Sequence, residues 1–380
     1  MRGVRSCTDL QPQQSQVVRD RFLGCLLGGA VGDALGAPVE FMTREQIFTR
    51  FGPDGITDYA PAFGGVGRIT DDTQMTLFTA EGLLRGRVRW SLKGITDYPS
   101  VTAHAYLRWL RTQGERGVVD IASGDAQPGW LIQHPELHSK RAPGKTCLSA
   151  LRSMPSFGEP ARNDSKGCGG VMRVAPVGLF GWAMTEAGPG AETFQLATEL
   201  AQLTHGHPTG SLTAGVFASL VQSLIDGRSL SDALQTTKDF LRLEPGHEET
   251  LAAMENAERL AAEASPHNIA IAQLGQGWIA EEALAIAIYC ALVARDFQHG
   301  VLLAVNHDGD SDSTGAITGN LLGASLGVGA IGERWLQPLE LRAVITEVAE
   351  DLLAFPEWDS DEAAGVGDLK EGIWAKYPGW

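Results

Sequence analysis

Apolar residues recur along this chain at helical spacing almost everywhere. In ETLAAMENAERLAAEA, the residues Leu251, Met254, Ala257, Leu260 and Ala261 share one side, the spacing of a half-buried helix. WIAEEALAIAIYCALVAR is apolar nearly all round after its first turn, which predicts a buried central helix. The pattern predicts helices over about 17–36, 71–86, 101–112, 194–205, 210–226, 229–242, 248–264, 278–296, 310–329 and 339–354. No sustained alternation of β-branched and polar residues predicts a strand. The expected fold is all-α, a single compact multi-helix domain over 18–380. It follows a polar, glutamine-rich leader at 1–17 that is expected to be disordered. No repeat of solenoid length is visible. Irregular segments are expected at 52–69, 113–147, 153–170 and 355–380, and loops that long often carry function.

Two of the predicted helices carry a glycine at every fourth position. GCLLGGAVGDALG has Gly24, Gly28, Gly32 and Gly36, and the segment from Asn306 has Gly315, Gly319, Gly323 and Gly327. Residues four apart share a helix face. Glycine costs about 1 kcal/mol against alanine inside a helix, so such a stripe needs a reason. The expected reason is close approach of two backbones in a tight helix crossing at the centre of the protein. A transmembrane small-residue pair is excluded, because both stretches are short and carry or adjoin acids. Leucine at Gly319 is expected to disrupt the crossing, with alanine serving as a mild control.

Composition narrows the function classes. The 380 residues are 43% hydrophobic and 20% charged, an ordinary globular balance. The 46 acidic residues exceed the 30 lysines and arginines, for a formal net charge of −16. That surface argues against a general binder of nucleic acid or anionic membrane. The five cysteines are scattered and odd in number, which favours a reducing, cytoplasmic setting over a disulfide framework. No apolar run is long enough to span a membrane, and no secretory signal is visible. A monomer is expected.

The chemistry concentrates in two acidic clusters at predicted helix starts. In GRITDDTQMT, Thr70 occupies an N-cap position ahead of Asp71 and Asp72. Acids in a first turn also complement the helix dipole, so this motif alone has a plain structural explanation. In NHDGDSDST, Asp308, Asp310 and Asp312 alternate and would repel one another without a cation between them. An EF-hand loop is excluded, since positions 6 and 12 counted from Asp308 hold Ser313 and Gly319. Together the clusters offer Thr70, Asp71, Asp72, Asp310, Asp312 and Ser313. Four facing carboxylates would be balanced by two divalent ions about 4 Å apart. All-oxygen ligation suits Mg²⁺ or Mn²⁺, with Ca²⁺ also compatible. Neither motif offers cysteine or histidine, so Zn²⁺ is expected to substitute poorly.

These motifs resemble those of the ADP-ribosylglycohydrolases, over about residues 20–330. GCLLGGAVGDALGAPVEF is similar to the family's opening helix, ITDDTQMT to its first metal motif and GDSDSTGAITGNLLGA to its second. GCGGVMRVAPVGL and GQGWIAEEALAIAIYCAL are also similar to family segments. The resemblance implies an all-α fold of that family's type and two Mg²⁺ or Mn²⁺ ions held by the six residues named above, with Asp312 bridging. It implies hydrolysis of the bond between ADP-ribose and a modified protein, most directly at arginine. It places a mobile catalytic glutamate at Glu40 and a diphosphate-binding loop at Gly167, Cys168, Gly169 and Gly170. It puts His205 in the substrate cleft. Structural alternatives stand beside these: a solvated glutamate after a proline turn, a plain glycine turn, and a histidine ending a helix. Asp308 and His207 are supporting candidates, and Trp278 is a core-packing candidate. The expected partners are an ADP-ribosylated protein and ADP-ribose. An O-linked or nucleobase-linked substrate, a non-catalytic crystallin-like member, and a different binuclear enzyme such as a phosphohydrolase remain as alternative readings.

Overall fold

The computed structural model describes residues 5–6, 9–119, 121, 129–185, 190–263, 265–358 and 367–379. The chain passes through α1 (Pro12–Gly36), α2 (Arg44–Phe51), α3 (Asp71–Lys93), α4 (Tyr98–Thr112), α5 (Lys145–Ser153) and α6 (Ala175–Met184). It continues through α7 (Ala191–Gln202), α8 (Pro208–Ile225), α9 (Leu230–Leu241), α10 (Glu248–Ala262), α11 (His267–Leu274) and α12 (Ala280–Val293). It closes with α13 (Phe297–Val305), α14 (Ser311–Leu326), α15 (Glu333–Leu336), α16 (Arg342–Ala354) and α17 (Gly367–Lys376). Among the described residues the only β features are two isolated bridges, so the fold is all-α as expected.

The glycine stripes meet. A Cβ on Gly28 would lie 2.4 Å from the carbonyl oxygen of Gly319, and one on Gly32 1.9 Å from that of Gly315. In the same antiparallel register, Gly24 meets Gly323 at 2.4 Å and Gly36 meets the Ser311 carbonyl at 2.3 Å. Backbone therefore rests on backbone along the whole α1–α14 crossing. Asn320 adds one polar tie, its Nδ2 donating to the Cys25 carbonyl at 2.7 Å. The expectation that alanine at Gly319 would be mild fails here. A single methyl carbon there would sit 2.0 Å from the Gly28 oxygen.

This crossing fixes the centre of the molecule. α12 and α13 pack on α14, and α16 packs on α1. One apolar core runs from Val18 to Tyr377. α12 and α8 are buried nearly all round, as their uniformly apolar sequences require.

Some boundaries differ from the pattern. α1 begins at Pro12, so the residues to Val17 placed in the leader belong to its first turns, with proline at the start where its missing N–H costs nothing. Met1–Val4, Cys7 and Thr8 lie outside the described residues. The predicted 278–296 helix ends at Val293, because Asp296 caps a new helix by accepting from the His299 N–H at 2.7 Å. The expected irregular tail contains α17.

Candidate functional site

Register along the α1–α14 crossing brings two helix ends together. Because the helices run antiparallel, Gly36 at the end of α1 lies against Asp312 in the first turn of α14. One turn earlier on α1, Asp33 is fully buried. Its carboxylate accepts from the Thr70 N–H at 3.0 Å and the Thr73 N–H at 3.1 Å, and from the Thr73 hydroxyl at 2.5 Å. These bonds hold the start of α3 against α1. Asp33 is one of the acids that interrupt the glycine-striped stretches, and the sequence pattern gave it no further role. A charged residue inside a glycine- and alanine-rich buried helix was the available signal, since a buried carboxylate must find donors.

The segment entering α3 is fixed from its other side. Glu340 accepts from Arg68, from Arg141 and from the Ile69 N–H at 3.2 Å, and the Arg141 guanidinium donates to the Ile69 carbonyl at 2.9 Å. Thr70 then caps α3, its Oγ1 accepting from the Asp72 N–H at 3.2 Å. Asp71 Oδ2 accepts from the Gly144 N–H at 3.2 Å. Asp72 Oδ2 is buried and has no hydrogen-bond partner among the described residues.

On the α14 side, Asp310 is the N-cap, with Oδ1 3.3 Å from the Ser313 N–H. Its Oδ2 accepts from the Cys168 thiol at 2.9 Å. Asp312 Oδ1 accepts from the Ser313 N–H at 3.0 Å. Asp308 does not join this group: it turns away to accept from the Arg44 N–H at 2.8 Å, where α2 begins. Only two of the three alternating acids therefore face the first cluster.

Glu40 completes the chamber. It is 7% exposed, and its Oε2 is buried without a hydrogen-bond partner among the described residues. A solvated glutamate is thereby excluded. Burial and the carboxylates of Asp312, Asp310, Asp71 and Asp33 push its pKa up to about 11. Burial, then Asp312, raises Asp71 and Asp72 well above the usual carboxylate range. Burial followed by Asp310 does the same to Asp312. Asp33 rises to about 7 for burial and its proximity to Asp312. In the absence of cations, protons must neutralise this chamber.

The donor chemistry fits a hard cation. The donors are carboxyl oxygens, buried and partly unpartnered, and Thr70 and Ser313 stand beside them. The geometry is not a finished cage, because no group of three or more His, Cys, Asp or Glu that could hold a metal ion is formed among the described residues. Neither acidic motif holds a cysteine, but Cys168 of the glycine loop brings a thiol to Asp310 and lies 3.7 Å from Ser313 Oγ.

The glycine loop borders the chamber through Cys168, and its glycines answer to close contacts. A Cβ on Gly169 would lie 2.7 Å from the Cys147 sulfur, and one on Gly170 2.7 Å from the Gly210 carbonyl. Gly167 forms a bridge with Ile279. His205 is not an open cleft residue. It is 1% exposed beneath this loop, with Nδ1 2.8 Å from Thr204 Oγ1, and burial drives its pKa down to about 3. It supports the loop as a neutral ring. His207 caps α8, its Nδ1 accepting from the Thr209 N–H at 3.1 Å. Trp278 is not core: it is 38% exposed and stacks on Phe41, which is 73% exposed, with ring centroids 5.7 Å apart. Phe41 follows Glu40, and the Trp278 carbonyl accepts from the Cys168 N–H at 3.2 Å. The stack thus joins the glutamate segment to the glycine loop.

A family model described as ADP-ribosylglycohydrolase matches residues 14–361. The chain belongs to the ADP-ribosylglycohydrolase family. It is 27% identical to the ADP-ribosyl-[dinitrogen reductase] glycohydrolase of Rhodospirillum rubrum, over 86% of this chain and 92% of that protein. It is 24% identical to the ADP-ribosylarginine hydrolase Tri1 of Pseudomonas putida, over 98% of this chain and 85% of that one. A solved structure titled ADP-ribosylglycohydrolase-related protein complex superimposes with a TM-score of 0.66 at 29% identity, covering 90% of this chain and 99% of that one. The acid chamber of this glycohydrolase thus lies within the matched span. Among its described residues no helix is long and apolar enough to cross a membrane.

Proposed function

We propose that this glycohydrolase removes ADP-ribose from modified proteins by cleaving the N-glycosidic bond to arginine, at a site holding two Mg²⁺ or Mn²⁺ ions. One observation carries the reading: Asp71 and Asp72 of α3, Asp310 and Asp312 of α14, and Glu40 are gathered into one buried chamber, where Asp312, Asp310 and Asp71 raise the pKa of both Glu40 and Asp72. Two relatives support the substrate class, being named for dinitrogen reductase and for ADP-ribosylarginine.

Thr70, Asp71, Asp72, Asp310, Asp312 and Ser313 would hold the ions, with Asp312 between the two clusters. When bound, the ions supply charge neutralisation for an oxocarbenium-forming cleavage and an activated water. The protein's own groups do the rest. Asp33 fixes the start of α3 through Thr70 and Thr73, so the acids of that turn keep their positions. The Glu40 carboxyl, buried beside Asp310 and Asp312 with an unpartnered oxygen among the described residues, is positioned to assist proton transfer to the leaving nitrogen. The Gly167–Gly170 segment offers backbone to a diphosphate, a neutral way to bind an anion next to so many acids. Phe41 and Trp278 supply a planar apolar rim.

The test incubates the purified protein with arginine-, serine- and nucleobase-linked ADP-ribose in Mg²⁺ and in EDTA. Free ADP-ribose from the arginine substrate, in Mg²⁺ alone, is expected. Release of AMP would identify a phosphohydrolase instead, and absence of product from every substrate would identify a non-catalytic member.

A further inference from the structure

A cavity of about 500 Å³ opens between α2, α11 and α13, lined by residues outside the acid chamber. Its wall carries two arginines, two histidines and two aspartates. Arg44 and Arg295 both line it, and among the described residues neither guanidinium is paired with a carboxylate. The Arg44 guanidinium lies over the Phe48 ring, its Cζ 4.0 Å from the centroid. That leaves a planar cation with an aromatic backing, on which another planar ring can stack.

The two histidines of the wall have assigned roles for their Nδ1 atoms. His299 Nδ1 accepts from the Arg295 N–H at 3.2 Å, so the neutral ring carries its proton on Nε2 and is a donor there. His267 Nδ1 is 2.7 Å from the Tyr289 hydroxyl, which fixes that ring's orientation. Two carboxylates also line the cavity. Asp296 is occupied as the cap of α13, which leaves Asp54 as the second acid.

We propose that this cavity is a binding site for a nucleoside phosphate, separate from the acid chamber. The phosphate would bridge the two guanidinium groups and the His299 Nε2–H, since arginine forks match phosphate oxygens. The base would stack on the Arg44–Phe48 pair, and Asp54 would accept from ribose hydroxyls. A bare phosphate uses only the first of these features, and an uncharged nucleoside only the other two. The site shares structure with the hydrolytic centre: the Arg44 N–H holds Asp308, and Asn306 is tied to the N–H and carbonyl of Ile56 at 2.8 and 2.9 Å. The bound nucleotide would therefore brace the segments that carry Glu40 and Asp310.

Isothermal titration of AMP into the full-length protein in EDTA tests the proposal. Four proteins are compared: wild type, Arg295→Glu, Arg44→Gln and Asp312→Asn. Expected are binding to wild type and to Asp312→Asn with similar Kd, a loss of tenfold or more in Arg295→Glu and Arg44→Gln, and weaker binding of inorganic phosphate and of adenosine than of AMP. Circular dichroism and melting curves establish that the arginine variants fold. Equal AMP affinity in wild type and Arg295→Glu, loss confined to Asp312→Asn, or no binding to wild type at millimolar AMP would each overturn it.

Discussion

Replacing Gly319 by alanine tests the architecture that assembles the site. In an exposed helix this change stabilises by about 1 kcal/mol, because alanine is the better helix former. Here the added carbon would lie 2.0 Å from the Gly28 oxygen and 2.6 Å from its carbonyl carbon, against ordinary contacts of 3.4–4 Å. Neither partner is a side chain that can rotate away, so α1 and α14 must part by more than about 1 Å, in a core that is close-packed. Parting also opens the neighbouring Gly315 and Gly323 rows, which rest on Gly32 and Gly24. Overpacking of this kind typically costs about 1–3 kcal/mol, occasionally more, and two rigid backbones put this site at the upper end. Subtracting the propensity gain leaves a net loss of about 2 kcal/mol. Gly329→Ala is the control: among the described residues nothing lies within 4 Å of the added carbon, and its effect should stay within about 0.5 kcal/mol. Urea denaturation followed by circular dichroism reads both. A Gly319→Ala midpoint equal to or above wild type would refute the crossing as the organising contact.

Further outcomes follow from the chamber. Asp33 and Glu40 have native pKa values of about 7 and about 11, above the unfolded carboxylate value near ~4, so between these limits the native state holds protons that the unfolded chain has lost. That contribution to stability is complete below the unfolded value and is lost as pH rises through the native ones. Chelated protein should therefore melt higher at pH 5 than at pH 8, and the reverse order would contradict the buried acid cluster. Asp33→Asn should lower hydrolysis by about 10- to 100-fold with helical content retained, the range for residues that orient ligands; unchanged kcat would remove Asp33 from any positioning role. Phe41→Ala should raise KM with little change in kcat or melting temperature, and an unaltered KM would show that the rim stack does not meet substrate.

The sequence carried the site better than it carried the walls around it. The two glycine stripes and the two acid-headed helices were legible because each feature is local: a spacing of four, and hydroxyl and acid residues at a helix start. Their meeting in antiparallel register is not local, and Asp33 was overlooked because its four hydrogen bonds all go to residues some forty positions away. The short helices α2, α5, α11 and α13 offered too few turns for a period to emerge. α6 is buried on every side, so its apolar run has no polar face to mark it. His205 and Trp278 exchanged expectations for the same reason. A histidine near a helix end and a tryptophan at a helix start look alike from spacing, and only tertiary contacts buried the one and exposed the other.

The central claim is that the acids of α3 and α14 face one chamber that binds hard cations, and four melting curves test it most directly. Wild type and Asp312→Asn are each melted in EDTA and in Mg²⁺. A cation that binds only the folded state raises its melting temperature. Wild type should therefore gain stability in Mg²⁺ and Asp312→Asn much less. In EDTA the variant should be at least as stable as wild type, because one member of a crowded acid group is gone while its shape is kept. A variant less stable than wild type in EDTA, with an undiminished Mg²⁺ shift, would mean that Asp312 serves only the helix start and that the two clusters share no cation.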